Sequence, residues 1–194
     1  MEAFRLDDIY DALNERLSDP RIMHVLGSGQ AAVRLARRWD VDADDALTAA
    51  LLHDIAKELK PSELRRLMDS SPEWATEEDG HYPSIWHAVA GAIIATREFG
   101  VSEKVARAIL YHPTGSPDMD RLAKVIFLAD YIEPTRTWEG VAPMRRLAME
   151  DLEEAVRSSV IKKTDHVQSK SKPLHPRSLR TRTMVQKNGM EDAI

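Results

Sequence analysis

The chain has 194 residues, 43% of them hydrophobic and 30% charged, with a net charge of −5 and no cysteine. That length supports one sizeable core, and no apolar run approaches the roughly 20 residues of a membrane helix. Disulfides and thiolate-bound zinc or iron–sulfur clusters are excluded, which leaves His, Asp and Glu as metal ligands, and the acidic balance argues against a general nucleic-acid binder.

Met1 to Leu6 carry no basic region followed by a hydrophobic one, so a cytoplasmic protein with no membrane partner is expected. Phe4, Ile9, Leu13 and Leu17 predict a first amphipathic helix over 4–17. Asp19 before Pro20 then predicts a second helix from Pro20 to about Trp39, with His24 in its second turn. Gly27 and Gly29 each weaken that helix by about 1 kcal/mol relative to alanine, which predicts the close approach of another backbone.

Asp42 caps a third helix, and residues 46–56 are almost all apolar, as in a helix buried all round. His53 and Asp54 interrupt that run. An unpaired buried carboxylate costs several kcal/mol, so the pair requires a hydrogen-bonded partner or a metal. The other reading ends the helix at Lys57 in water, with His53 packed as a neutral core histidine.

Pro61 stops that helix or begins a short one. Residues 70–83 read as an acidic loop with at most one short helix, from Ser70-Ser71-Pro72, Asp79-Gly80 and Pro83. Ser84 caps the next helix, which has His87 in its first turn and is thinned for close packing by Ala88, Ala90, Gly91 and Ala92. Gly100 stops it, and Ser102 caps another helix that delivers His112 to its end. After a loop from Pro113 to Pro117, Leu122 to Ala129 form a second strongly buried helix, ending at Asp130. One long amphipathic stretch runs from about Pro143 to Val167 (Leu147, Leu152, Val156, Val160), and Pro173 to Pro176 break the chain before a last basic helix.

No strand alternation is present, so an all-α bundle is expected. It forms a single domain over 1–194, with a motif-bearing core at about 18–137 and C-terminal helices at about 143–187. From Ile161 to Lys187, eight Lys or Arg stand against Asp165 alone, a net +7 that leaves −12 on the remainder. Such a basic end suits an anionic ligand; the alternative is a solvated tail.

His24, His53, Asp54, His87, His112 and Asp130 are thus polar residues stranded in apolar contexts on five helices. Singly each reads as a satisfied core or helix-end residue. Together they have the composition of a one- or two-metal site between facing helices. His81 and His166, in loop and helix-surface settings, are read as lying outside it.

The ordered set Arg21-x-x-His24, Leu51-Leu52-His53-Asp54-Ile55-Ala56-Lys57, His87 with Gly91-Ala92, His112-x-Thr114-Gly115 and Asp130-Tyr131-Ile132-Glu133-Pro134-x-Arg136 resembles the YqeK family. The likeness covers about residues 10–180 and extends to Leu174-His175-Pro176. These are bacterial HD-superfamily phosphohydrolases. The resemblance implies an all-helical HD-domain bundle that hydrolyses diadenosine tetraphosphate symmetrically to two ADP. It further implies that His24, His53, Asp54 and Asp130 ligate a metal, usually iron, with manganese or cobalt as substitutes. His87 and His112 match histidines that complete a second ion position or face the phosphates, which makes His53, Asp54, His87 and His112 the catalytic set. Where the family has two hydroxyl residues after the histidine matching His112, this chain has Pro113 and then Thr114. That change bears on one phosphate or supporting contact and not on a ligand.

The residue chemistry agrees, since cleaving a phosphoanhydride needs activated water and shielding of developing charge, both within a metal's reach. Arg21, Lys57 and Arg136 are candidate phosphate clamps, with Thr114, His175 and Arg177 as further substrate contacts; ordinary surface charge is the alternative reading. The expected partner is a small-molecule dinucleoside polyphosphate, without nucleic acid, and a homodimer is left open. Two other functions fit less of the pattern: an HD phosphohydrolase for a nucleoside triphosphate or guanosine polyphosphate, and a non-catalytic helical module binding RNA or protein.

Overall fold

The structure is a computed structural model that describes residues 6–191, with side chains described through residue 187. Among the described residues there are eleven helices and no strand, as the patterning predicts. Helix α1 (Leu6–Arg16) buries Ile9, Ala12 and Leu13; Phe4 lies outside the described residues.

Helix α2 (Asp19–Arg38) is bounded by Ser18 rather than by Asp19. The Ser18 N–H and hydroxyl both donate to the Glu58 carboxylate at 2.7 Å, so Asp19 becomes the first helical residue and adds its charge to the positive helix end. Helix α3 (Ala43–Leu52) is capped by the Asp42 carboxylate, which accepts from the N–H groups of Asp44 and Asp45. It ends at Leu52, so His53 and Asp54 lie in the tight turns that follow instead of inside the helix.

After α4 (Pro61–Asp69) and the single turn of α5 (Glu77–Gly80), a 3-10 turn at Pro83–Ile85 leads into α6 (Trp86–Phe99). Ser84 falls within that 3-10 turn and caps nothing. Gly100, with φ of 60°, closes α6, and the Ser102 hydroxyl caps α7 (Glu103–Tyr111). Asp120 caps α8 (Arg121–Ile132), which runs past Asp130 and leaves it in the last turn. The long amphipathic stretch is two helices, α9 (Val141–Glu150) and α10 (Leu152–Ser169). Asp151 adopts an extended conformation between them and caps the second through the Glu154 N–H. Helix α11 (Pro176–Glu191) follows the proline break.

Helix α2 packs on α3 and α8, α7 lies against α3, α6 and α8, and α10 bridges α8 to α11. Leu51, Leu52, Ile55, Ile93, Ile109, Ile126 and Phe127 are fully buried at the centre, each worth about 1.5–3 kcal/mol of transfer. Glycine sets two close approaches. A Cβ on Gly91 would lie 3.4 Å from the His53 carbonyl oxygen and from Ile109 Cγ2, so α6 passes close to the turn after α3 one helical turn from His87. At Gly27 the neighbour is a side chain and not the backbone predicted: a Cβ there would meet Glu133 Oε2 at 2.6 Å.

Candidate metal centre

After Leu52 the chain tightens into short turns, with Ile55 N–H donating to the Leu52 carbonyl and Lys57 N–H to that of Asp54. His53 Nδ1 donates to the Ala50 carbonyl at 2.6 Å. A carbonyl only accepts, so Nδ1 carries the proton and Nε2 presents a lone pair. The same logic applies to His112, whose Nδ1 donates to the Ile109 carbonyl at 2.8 Å, while His24 turns Nδ1 to Glu133 Oε1 at 3.2 Å and Nε2 to the cluster.

These lone pairs converge. His24 Nε2 and His53 Nε2 are 3.2 Å apart, and each is 3.7 Å from Asp54 Oδ2. Asp130 Oδ1 lies 3.3 Å from the first ring nitrogen and 4.0 Å from the second. Two lone-pair nitrogens and two carboxylates at such distances repel one another unless a positive charge sits among them. A second group shares the same aspartate. Asp54 Oδ1 is 3.5 Å from His87 Nε2 and 3.7 Å from His112 Nε2, and those nitrogens are 3.3 Å apart.

Asp54 Oδ1 is buried and accepts no hydrogen bond, a costly state for a carboxylate oxygen and one that a cation relieves. The donor set of imidazole nitrogen and carboxylate oxygen fits iron, manganese or cobalt. Two ligand groups therefore meet on Asp54, one on each of its oxygens.

The electrostatics run the same way. Burial opposes ionisation of Asp54, but His53, His112, Lys57 and His87 outweigh it and hold the carboxyl well below the usual range. Burial is likewise overcome at Asp130, by the Lys163 charge and then by His24. Burial and the Lys57 charge push His87 down to about 3, and burial with His53 keeps His112 well below the usual histidine value. His24 is raised: burial works against its charge, but Asp130 and Glu133 prevail, and that negative field equally favours a bound cation.

Arg21 and Lys57 flank the shared aspartate. Arg21 donates to Asp54 Oδ2 at 2.9 Å, while Lys57 Nζ is 2.9 Å from His87 Nε2 and 3.6 Å from Asp54 Oδ1. Arg136 donates to the Asp130 carboxylate at 3.0 Å and to its carbonyl at 3.2 Å.

Beside Asp130 opens a cavity of about 570 Å³. Its walls are Phe127, Tyr131, Trp138, Val160, Val167 and Leu174, with Arg136, Lys163, Thr114 and Ser178 as polar groups. The rings of Tyr131 and Trp138 lie 4.7 Å apart. Lys163 escapes the sequence reading, which counts it only within the basic end. Its ammonium donates to the His112 carbonyl at 3.1 Å, lies 3.5 Å from Asp130 Oδ2 and sits 4.3 Å over the Phe127 ring. The available signal was its register, because Lys163 continues the apolar stripe of Val156 and Val160.

His166 is exposed on the surface of α10, as its pattern predicts, although it is among the residues lining this cavity, whereas His81 is exposed and does not line it. Thr114 is buried and donates to the Gly115 carbonyl. His175 and Arg177 are not among the residues that line the cavity. Arg177 donates to Asp79 Oδ1 at 2.9 Å, His175 Nε2 lies 3.1 Å from the same oxygen, and all three residues are buried. Arg180 pairs with Glu78 and Arg182 with Asp165, so much of the basic end is neutralised locally.

Residues 21–135 match the HD domain family. A symmetrical bis(5'-nucleosyl)-tetraphosphatase of Bacillus subtilis (strain 168) is 36% identical over 165 residues, covering 84% of this chain and 88% of the relative. The enzyme of the same name from Halalkalibacterium halodurans is 36% identical over 168 residues, covering 85% and 88%. Among solved structures, one from Clostridium acetobutylicum described as a predicted HD superfamily hydrolase involved in NAD metabolism superposes with a TM-score of 0.90. It is 34% identical and the match covers 95% of this chain and 98% of that one.

Proposed function

The chain belongs to the HD domain family and, within it, to the symmetrical bis(5'-nucleosyl)-tetraphosphatases, and from that premise we propose how its own residues carry the reaction. The protein is a metal-dependent hydrolase of phosphoanhydride bonds that splits diadenosine tetraphosphate in the middle, giving two ADP. The observation that carries the mechanism is the pair of ligand groups meeting on Asp54. His24, His53, Asp54 and Asp130 would hold one ion, and Asp54, His87 and His112 would hold a second. Iron is the metal of this reading, with manganese and cobalt as substitutes. A divalent cation held there supplies a Lewis acid that acidifies water and polarises a phosphoryl oxygen.

The chain's residues do the rest. Tyr131, Trp138 and Val160 receive the adenosine of one half of the substrate, an apolar recess suited to a base. Lys163 and Arg136 border both that recess and Asp130, so they hold the phosphates leading from the nucleoside to the ligand cluster. Held in this way, the substrate presents its middle anhydride, two phosphates from the ribose, to the ligand cluster. Arg21 and Lys57 flank Asp54 and shield charge on the departing half. Thr114 offers its hydroxyl at the cavity wall where Pro113 offers none.

His175 and Arg177 act through α11, whose entry supplies Leu174 and Ser178 to the wall. In this reading the whole chain is one HD domain: residues 18–137 carry the ligands, and the C-terminal helices complete the recess. A cytoplasmic location without a nucleic-acid partner completes it, and the local pairing of Arg177, Arg180 and Arg182 disfavours an RNA-binding end.

Chelation provides the test. Protein stripped of metal is expected to lose hydrolysis of diadenosine tetraphosphate and to regain it with Fe²⁺, Mn²⁺ or Co²⁺. Stripped protein that elemental analysis finds metal-free, yet hydrolyses at the original rate, overturns the mechanism.

A further inference from the structure

Glu133 is fully buried three residues beyond Asp130, and a carboxylate in that position needs a reason. Its Oε1 accepts from the Thr135 hydroxyl at 2.6 Å, faces His24 Nδ1 at 3.2 Å and lies 3.4 Å from Arg136 Nε; its Oε2 accepts from the Thr135 N–H at 2.6 Å. The backbone that carries it is held from α9 by Arg145, which donates to the carbonyls of Ile132 and Glu133 at 2.8 and 2.7 Å.

The opposite wall is Gly27, three residues after His24. A Cβ there would stand 2.6 Å from Glu133 Oε2, a separation real contacts do not tolerate. Gly27 has no positive φ and sits in mid-helix, where glycine costs about 1 kcal/mol relative to alanine. Backbone freedom therefore does not explain it. Space for the carboxylate does.

We propose that Glu133 is a positioning residue that holds the proton of His24 on Nδ1, so that Nε2 faces the metal with its lone pair, and that Gly27 is the notch admitting the carboxylate. The proposal rests on the metal-centre reading above. A ligating histidine whose other nitrogen donates to a carboxylate is fixed in both tautomer and ring orientation, and loss of such a partner costs about 10–100-fold in metal affinity.

Cobalt(II) titration of the full chain, followed by its visible d–d absorption, measures that affinity without recourse to activity. Glu133→Ala and Gly27→Ala are each expected to weaken cobalt binding by about 10–100-fold. The double variant should bind no more weakly than Glu133→Ala, because once the carboxylate is gone the new Cβ has nothing to displace. Glu133→Gln preserves volume but offers one acceptor oxygen to donors at two positions, so it should weaken binding while melting like the parent. If Glu133→Gln or Glu133→Ala melts and binds cobalt as the parent does, the assignment fails. It fails too if the losses of Gly27→Ala and Glu133→Ala multiply in the double variant. A parent protein that binds no cobalt would instead sink the metal centre itself, and this assignment with it.

Discussion

Asp54 turns one carboxylate oxygen toward His87 and His112 and the other toward His24, His53 and Arg21, so a change there reaches both ligand groups. Asp54→Asn keeps the volume but removes the charge and sets an N–H donor among lone pairs. It should abolish both metal binding and turnover, while His81→Ala, at an exposed site, leaves both unchanged; equal loss in the two, by metal analysis and steady-state kinetics, would show the cluster misassigned. Lys163→Met retains the side chain's apolar length and removes its charge. A charged hydrogen bond is worth about 1.5–3 kcal/mol, so kcat/KM should fall about 10–100-fold, and an unchanged kcat/KM would remove Lys163 from the phosphate path. The six cluster residues were legible because each interrupts an apolar run. Lys163 and Glu133 were not, because the contacts that mark them, Lys163 with the His112 carbonyl and Glu133 with His24, join residues far apart in the chain, which composition does not register.

Helix α11 is fastened to α5 through the buried Asp79 carboxylate and its partners Arg177 and His175. Burial acts to raise the Asp79 pKa, but contacts with His175 and Thr76 and the charge of Arg177 outweigh it and hold it well below the ordinary carboxylate. A folded-state pKa below the unfolded one gives stability that is present above about pH 4 and lost as the pH falls further. Asp79→Asn should therefore flatten the acid limb of a plot of thermal midpoint against pH from 7 to 3, and curves that stay parallel would contradict the pairing. At neutral pH, Asp79→Ala should cost about 3–5 kcal/mol by stranding Arg177 in the interior. It should also raise KM, because Leu174 and Ser178 at the start of α11 line the cavity. Most helix boundaries were legible where the cap is local, as at Asp42, Gly100 and Ser102. The start of α2 was not, because Ser18 is held by Glu58, 40 residues on. The division of α9 from α10 was also missed, since the apolar stripe continues on both sides of Asp151 and only its capping contact breaks the helix.

Across the whole molecule, a net charge of −5 coexists with a cationic rim of Arg21, Lys57, Arg136 and Lys163 around the cluster. Such a rim attracts a tetraphosphate through interactions that salt screens over about 10 Å at 0.1 M. Raising ionic strength should accordingly raise KM more than it lowers kcat. Of the expected architecture, the all-helical bundle followed from periodicity. The cavity did not, because it forms only where α8, α10 and the entry to α11 meet. The central claim is that this cavity and the Asp54 cluster together select the middle anhydride, and chromatographic analysis of the products of metal-loaded protein with diadenosine tetraphosphate tests it most directly. The account predicts ADP alone, two for each substrate consumed; AMP and ATP in equal amounts would contradict it.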